Sequence, residues 1–289
     1  MRHLGDLCFY AFLISAFYAT CLKPAMGSQI SPFKSINVTN SDLQRLSYNE
    51  ADKLIENLKI FNQLDRTIIY ADFIYNGKDS FNKKVAEGII LSVRLGKNDF
   101  KRIFISEEAS ENWVEYIICS GDKNEVWFRN SESKKFISVE SDKWEQNFFE
   151  TVLFRPVDLM LPNIFSSDYN YEGPRIYGLR SIVHSFIVKS NNEIIDDEND
   201  LISSFRVLID DKYNGIRKIE YLRNAEVVNS LEVLGLKKIN NKWVISRLVS
   251  NFKGHKTLLK VKEVRIFDSK NVGDFFDPFN LRLETLNEL

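Results

Sequence analysis

Two periods of hydrophobicity divide the chain. Between Ser41 and about Leu64, Leu43, Leu46, Leu54, Ile55, Leu58 and Phe61 recur at steps of three and four, with Asp42, Lys53, Glu56 and Lys59 between them. That spacing predicts an amphipathic helix with one apolar stripe. Ser47 followed by Glu50 is a capping-box pattern, which places a start for the helix proper at Ser47. After Asp65 the period drops to two. It predicts strands over Thr67–Tyr75, Ala86–Leu95, Phe100–Ser106, Trp113–Ser120, Glu125–Arg129 and Lys135–Val139. A second run of strands is predicted over Arg175–Lys189, Ile202–Asp210, Arg217–Arg223, Glu226–Lys238, Lys242–Asn251 and Thr257–Phe267. Short polar turns separate them: Asn76-Gly77, Gly96-Lys97-Asn98-Asp99, Asp211-Lys212-Tyr213-Asn214-Gly215 and Ile239-Asn240-Asn241. About 11 or 12 strands with no helices between them define a mainly β domain built on an antiparallel sheet. A sheet of that size must curl or close, and a curved sheet needs a cover on its inner face.

Only two segments are available as that cover: the N-terminal helix and a stretch that breaks the alternation. From Asn147 to about Ile164 the chain carries Phe148, Phe149, Val152, Leu153, Phe154, Val157, Leu159, Met160, Leu161 and Ile164, interrupted by Pro156 and Pro162. This predicts short helical turns with apolar surfaces. Two readings stand side by side: the insert lines or lids a ligand cavity, or it is the core plug of the curved sheet. For the first reading the candidate residues are Phe148, Phe149, Leu153, Phe154, Val157, Leu159, Met160 and Leu161, together with Leu54 and Leu58 of the helix.

The N-terminus sets the expected compartment. Arg2 precedes an apolar run from Leu7 to Leu22, Lys23-Pro24 break any helix, and Ala25-Met26-Gly27 has the small residues that signal peptidase accepts. The expectation is a signal peptide over 1–27, a polar leader over 28–40 and one β-domain over 41–289, acting in the periplasm. A retained anchor is the alternative, although the run is about 16 residues where a span needs ~20. Lipidation at Cys21 is another, although Tyr18-Ala19-Thr20 lacks the usual preceding pattern. Cys8 and Cys21 would leave with the signal, so Cys119 would have no disulfide partner. No second segment is long and apolar enough to cross a membrane. The 289 residues carry a formal charge of −1, which gives no electrostatic case for nucleic acid.

Catalytic chemistry has little to build on. The mature chain would hold two histidines, His184 in a strand and His255 in a turn. Gly-x-Ser-x-Gly, His-Glu-x-x-His, phosphate-loop and Cys-x-x-Cys patterns are all absent, and two histidines with one thiol leave little from which to build a metal site. The acidic run Asp196-Asp197-Glu198-Asn199-Asp200 lacks the glycine and distal glutamate of a calcium loop and reads as solvated. Two carboxylates can meet in any fold, but nothing in the sequence singles out a pair. The expectation is a protein that is not an enzyme and uses no cofactor and no metal.

A resemblance adds to this reading. Glu125-Val126-Trp127-Phe128-Arg129-Asn130 followed by Lys135-Phe136-Ile137 resembles the tryptophan strand and hairpin return of bacterial outer-membrane lipoprotein-sorting proteins of the LolA/LolB fold. Phe154-Arg155-Pro156-Val157-Asp158-Leu159-Met160-Leu161, Ser167-Asp168-Tyr169-Asn170-Tyr171-Glu172-Gly173 and Gly178-Leu179-Arg180 look like the middle of that family. Phe276-Asp277-Pro278-Phe279-Asn280-Leu281 is similar to its closing stretch. The positions that carry the likeness are Trp127, Asp168, Tyr169, Tyr171, Gly173, Arg180, Pro278 and Asn280. The resemblance implies a strongly curved, unclosed antiparallel half-barrel, with helices covering its concave face. It implies binding of lipid acyl chains or lipidated proteins, received from and passed to membrane-bound partners. The chain departs from the family in length, the sorting chaperone being shorter, and no counterpart of that protein's lid-holding cavity arginine is assigned. An envelope sensor that binds a protein partner on the same fold is the alternative function.

Overall fold

The computed structural model describes residues 39, 42–60, 67–76, 83–108, 111–122, 124–144, 146–149, 152, 154–156, 158, 168–178, 181–194, 202–212, 214–239, 242–252, 254–268 and 275–279. They form one α-helix, α1 (Tyr48–Ile60), and thirteen strands. The first six strands are β1 (Thr67–Asn76), β2 (Lys84–Leu95), β3 (Asn98–Glu107), β4 (Trp113–Ser120), β5 (Glu125–Asn130) and β6 (Ile137–Ser138). The remaining seven are β7 (Tyr169–Tyr177), β8 (Ser181–Ile194), β9 (Ile202–Asp210), β10 (Ile216–Arg223), β11 (Glu226–Ile239), β12 (Lys242–Phe252) and β13 (His255–Asp268).

All thirteen strands belong to one antiparallel sheet in the order β6-β5-β4-β3-β2-β1-β13-β12-β11-β10-β9-β8-β7. Two meanders meet where the first strand pairs with the last, from Thr67↔Asp268 to Asn76↔Leu258. The outermost strands, β6 and β7, are not neighbours, so the sheet is not closed into a barrel. Register shifts in the β1–β13, β7–β8, β10–β11 and β11–β12 ladders bend it; each extra residue in a ladder kinks the strand and raises its twist. The expected mainly β, curved and unclosed antiparallel sheet is what the chain forms.

The curvature follows from how the apolar side chains sort. One buried cluster gathers Ile90, Ile103, Ile118 and Val126 from the first meander, Val207, Leu231, Leu248 and Leu259 from the second, and Ala51, Leu54 and Ile55 from α1. Strands at opposite ends of a wide sheet share one core only if the sheet wraps around it. A smaller cluster, Leu91, Val93 and Phe276, lies on the opposite face. Ile90 and Leu91 are consecutive, so period-two alternation assigns one to the inside and the other to the outside.

Two expectations are corrected. The predicted strand Arg175–Lys189 is two strands, β7 and β8, folded back at Gly178, whose φ of 62° suits a turn that other residues adopt at a cost. Lys135–Val139 contributes only the two-residue strand Ile137–Ser138. The helix proper begins where the capping box places it, α1 starting at Tyr48 directly after Ser47. Ser47 N–H donates to Glu50 Oε2 at 2.8 Å, and Glu50 N–H donates back to Ser47 Oγ at 3.4 Å.

Candidate functional site

The concave face is the candidate site, and three elements meet over it. First is α1 with the short segment before it. Arg45 reaches edge strand β7 and donates to the Glu172 and Tyr171 carbonyls at 3.1 and 3.2 Å. Those carbonyls sit at a register shift between Tyr171 and Gly173. Gly173 has φ 127°, and a Cβ there would stand 3.0 Å from Arg45 Nη1, so glycine serves both the backbone and the close approach. The Arg45 guanidinium also lies 5.1 Å from the Tyr171 ring centre. Further along the helix, Asp52 accepts a hydrogen bond from the Tyr169 hydroxyl. An unpaired strand edge is a liability; here the Arg45 side chain satisfies two carbonyls of β7 and ties down the segment that leads into the helix.

Second is a chain of hydrogen bonds beneath the helix start. His184 on β8 is 2% exposed. Leu46 N–H donates to the Tyr171 hydroxyl oxygen at 3.3 Å. Tyr171 O–H lies 2.8 Å from His184 Nδ1, and His184 Nε2 lies 3.0 Å from Asp211 Oδ1. The network assigns the proton to Nε2, donating to Asp211, with Nδ1 accepting from Tyr171. Both ring nitrogens are therefore engaged, and the histidine acts as a strut between β7 and the β9–β10 turn. That turn closes with Asn214 N–H donating to the Asp210 carbonyl at 2.8 Å, Asn214 itself taking φ 52°. Between helix and turn lies a pocket of about 180 Å³, lined by Leu46, Glu50, Lys53, Leu54, His184, Asp211 and Asn214. Burial holds the Tyr171 hydroxyl above its ordinary value, against the Leu46 N–H and the Arg45 charge.

Third is the connection from β6 to β7, which runs from one edge of the sheet to the other and so must cross a face. Its contacts follow the strand order. Phe148 packs on Tyr116 of β4 with ring centres 4.9 Å apart, and Phe154 on Tyr75 of β1 at 5.1 Å. The Arg155 guanidinium then stands 5.3 Å from the Tyr221 ring of β10 and 5.4 Å from the Phe252 ring of β12. Short bonds shape the segment: Phe148 N–H to Phe154 carbonyl at 2.9 Å, and a β-bridge between Phe149 and Val152. Among the described residues of the insert, Pro156 and Asp158 are helical, as expected, whereas Phe148, Phe149, Val152 and Phe154 are joined by the hairpin-like bonds above and not by helical ones. Its backbone closes on itself before the proline, which cannot donate inside a helix.

The charge on this crossover is neutralised locally. Arg155 and Asp158 are 1% and 0% exposed. Arg155 Nη2 donates to Asp158 Oδ1 at 2.8 Å, and Arg155 N–H donates to Asp158 Oδ2 at 3.0 Å. Nearby, the buried Tyr75 hydroxyl has no hydrogen-bond partner among the described residues. Burial, with the Asp158 charge adding, pushes that phenol well above its ordinary value.

Of the residues the sequence put forward, Leu54, Phe148 and Phe154 lie in the inner cluster, and Phe149 packs against it. Leu58 is on α1. Leu153, Val157, Leu159, Met160, Leu161, Arg180 and Asn280 lie outside the described residues, as do residues 1–38 and the acidic run 196–200. Tyr169 and Tyr171 face inward and hold α1. Trp127 is on the outer face, since its neighbours Val126 and Phe128 belong to the inner cluster. Asp168 is exposed just before β7, and Pro278 sits in the turn after Phe276. Sequence reading did not single out Arg45, the His184 strut or the Arg155–Asp158 pair. The pair had a signal: two opposite charges three apart inside an apolar run. Among the described residues no group of three or more His, Cys, Asp or Glu side chains is placed to hold a metal ion. No described helix is long and apolar enough to cross a membrane, which says nothing of β-barrels.

This architecture defines a LolA-like half-barrel. A Vibrio parahaemolyticus domain named for outer membrane lipoprotein sorting superposes with a TM-score of 0.65 at 15% identity, over 80% of this chain and 100% of that one. A DUF1329 family protein from Desulfovibrio piger gives 0.64 at 14% identity, over 79% and 96%. A LolA superfamily protein from Nitrosomonas europaea gives 0.51 at 12% identity, over 76% and 95%. No family model matches the chain. In sequence it is 25% identical over 185 residues to an uncharacterised MCM-type protein of Methanocaldococcus jannaschii, covering 61% of this chain and only 24% of that protein. At these identities the structural likeness establishes the fold.

Proposed function

We propose that the chain is an exported carrier that shields acyl chains, free or attached to protein, on its concave face. The observation that carries this reading is how that face is covered. A wide apolar inner surface is closed by one helix and one crossover, not by a second sheet, and side-chain bonds from Arg45, Asp52 and Tyr171 hold the helix down. Such a cover can be displaced without breaking a β-ladder. The named lipoprotein-sorting neighbour supports the same use of this fold. Cargo burial contributes about 0.8 kcal/mol per CH₂. A 16-carbon chain therefore gives roughly 10 kcal/mol before the costs of moving the cover and ordering the ligand. On this reading residues 1–27 are a cleaved signal, 28–40 a leader and 41–289 the carrier domain in the periplasm. N-terminal sequencing of protein from the extracytoplasmic fraction should then begin at or near Ser28.

The deciding experiment is mass spectrometry of an organic extract from gently purified protein, followed by titration of the delipidated protein with cis-parinaric acid. Bound long-chain lipid and saturable, fatty-acid-displaceable fluorescence are expected. The second reading is an envelope module that binds a protein partner. It is favoured by Ile137, 56% exposed on edge strand β6, where a partner strand could pair. A co-purifying protein that survives delipidation, with no lipid and no dye uptake, would select it.

A further inference from the structure

Lys101 is out of keeping with its surroundings. It lies on β3 in register with Ser92 of β2 and Ile118 of β4. Alternation with Ile103 and Ile105, both in the inner cluster, directs it to the concave face. The side chain is 1% exposed, and its amine has no hydrogen-bond partner among the described residues. The adjacent Ser92 hydroxyl is already committed, donating to the Phe100 carbonyl at 3.2 Å. Asp99, two residues away on the same face, does not come within hydrogen-bonding distance of the amine. Burial pushes the amine below its ordinary value, Asp99 and Cys119 of β4 opposing and Arg94 of β2 adding, and burial also raises the Asp99 carboxyl. An aliphatic residue would fill this position without the desolvation cost of an unpaired amine. The cost is explained if a partner arrives from outside the chain.

We infer that the Lys101 amine is the recognition group for a single anionic head, carboxylate or phosphate, on an acyl cargo whose chain runs along Ile90, Ile103 and Ile118. This rests on the carrier reading above and adds a headgroup class to it. Lysine suits the task as a compact point charge that takes either anion without a fixed fork geometry.

The test uses the delipidated mature protein with cis-parinaric acid and its uncharged methyl ester as probes. Wild type should bind the acid at least tenfold tighter than the ester. In Lys101→Met and Lys101→Gln that ratio should fall below about threefold, with ester affinity nearly unchanged. Displacement of the acid by oleate supports a carboxylate head, by lysophosphatidic acid a phosphate head, and by neither overturns the inference. A wild-type ratio near one, or a ratio that survives both substitutions, sinks this inference and leaves the carrier reading standing. Failure of both probes to bind overturns the two together.

Stability supplies a second readout. Burial lowers the folded amine's pKa, so between that lowered value and about 10 the unfolded chain holds a lysine proton that the folded chain does not, and wild-type stability should rise with pH across that window. Lys101→Met should flatten that slope and raise the urea midpoint. A Lys101→Met protein that is less stable than wild type would mean that the amine has a structural partner, and would overturn the proposal.

Discussion

Two groups of buried arginine sit on opposite faces of the same sheet, and they solve the burial of charge differently. On the outer face, Glu115 of β4 lies between Arg102 of β3 and Arg129 of β5. Arg129 Nε donates to Glu115 at 2.6 Å, Arg102 Nη1 to the Phe275 carbonyl at 2.9 Å, and Arg129 Nη1 to the Lys134 carbonyl at 3.3 Å. The Phe136 ring, 4.6 Å from the Arg129 guanidinium, completes the enclosure. Three strands and the segment carrying Phe275 and Phe276 depend on one carboxylate. On the inner face, Arg155 and Asp158 are three residues apart and neutralise each other within one segment. The outer group pins distant parts of the chain together. The inner pair gives the crossover its own charge balance, so the segment can lie in an apolar interior, or leave it, without stranding a charge on the sheet. That contrast would suit the carrier proposed above.

The largest effect should come from the outer carboxylate. Glu115→Ala leaves two buried guanidiniums with no counter-charge and should cost about 5 kcal/mol, read as a lowered urea midpoint. It should also expose the segment around Phe276 to protease. A loss below about 1 kcal/mol would mean that the group does not pin the sheet. Asp158→Ala should cost somewhat less, about 3 kcal/mol, because it strands one charge. The double change Arg155→Met with Asp158→Leu should regain most of that loss, since an apolar pair fills the same space. If the double variant stays as unstable as the single one, the pair is not the self-contained unit described here.

Tyr171→Phe removes the hydroxyl that joins Leu46 to His184 and should cost about 1 kcal/mol. Faster hydrogen exchange confined to α1 should accompany it; faster exchange throughout the sheet would contradict a local strut. The smallest effect concerns Glu172. Burial opposes its ionisation, but the Ser185 hydroxyl and the Arg206 charge hold its carboxyl below the ordinary range. A depressed folded value means stabilisation that is present above the unfolded pKa and lost as pH falls through the folded one. Glu172→Gln should therefore lower stability at pH 7 by under about 1 kcal/mol, a difference from wild type that shrinks away as the pH falls below about 4.

How much of this could be read in advance varied with the range of the interaction. The start of α1 was legible because a capping box is complete within four residues, Ser47 to Glu50. Most hairpins were legible because alternation and a polar turn are both local. The β7–β8 hairpin was missed: Gly178-Leu179-Arg180 interrupts an alternating run too briefly to show in the pattern. Leu54, Phe148 and Phe154 were recognisable as apolar candidates, but not that they would share one cluster with residues of both meanders. The Arg102–Glu115–Arg129 group gave no sequence signal at all, since its members come from three strands.

By itself the amino-acid sequence determined the class of the fold: one capped amphipathic helix and a long series of alternating strands too numerous to lie flat. It also determined which residues are apolar enough to cover the inside. Tertiary structure alone decided the pairing of β1 with β13, the route of the crossover over the concave face, the burial of Lys101 with no hydrogen-bond partner among the described residues and the strut through His184. Local patterns are set by neighbours on the chain, through steric preference and hydrogen bonds a few residues long. Strand pairing, desolvation and the meeting of charges depend on residues far apart in sequence, and exist only once the sheet has curled around its core.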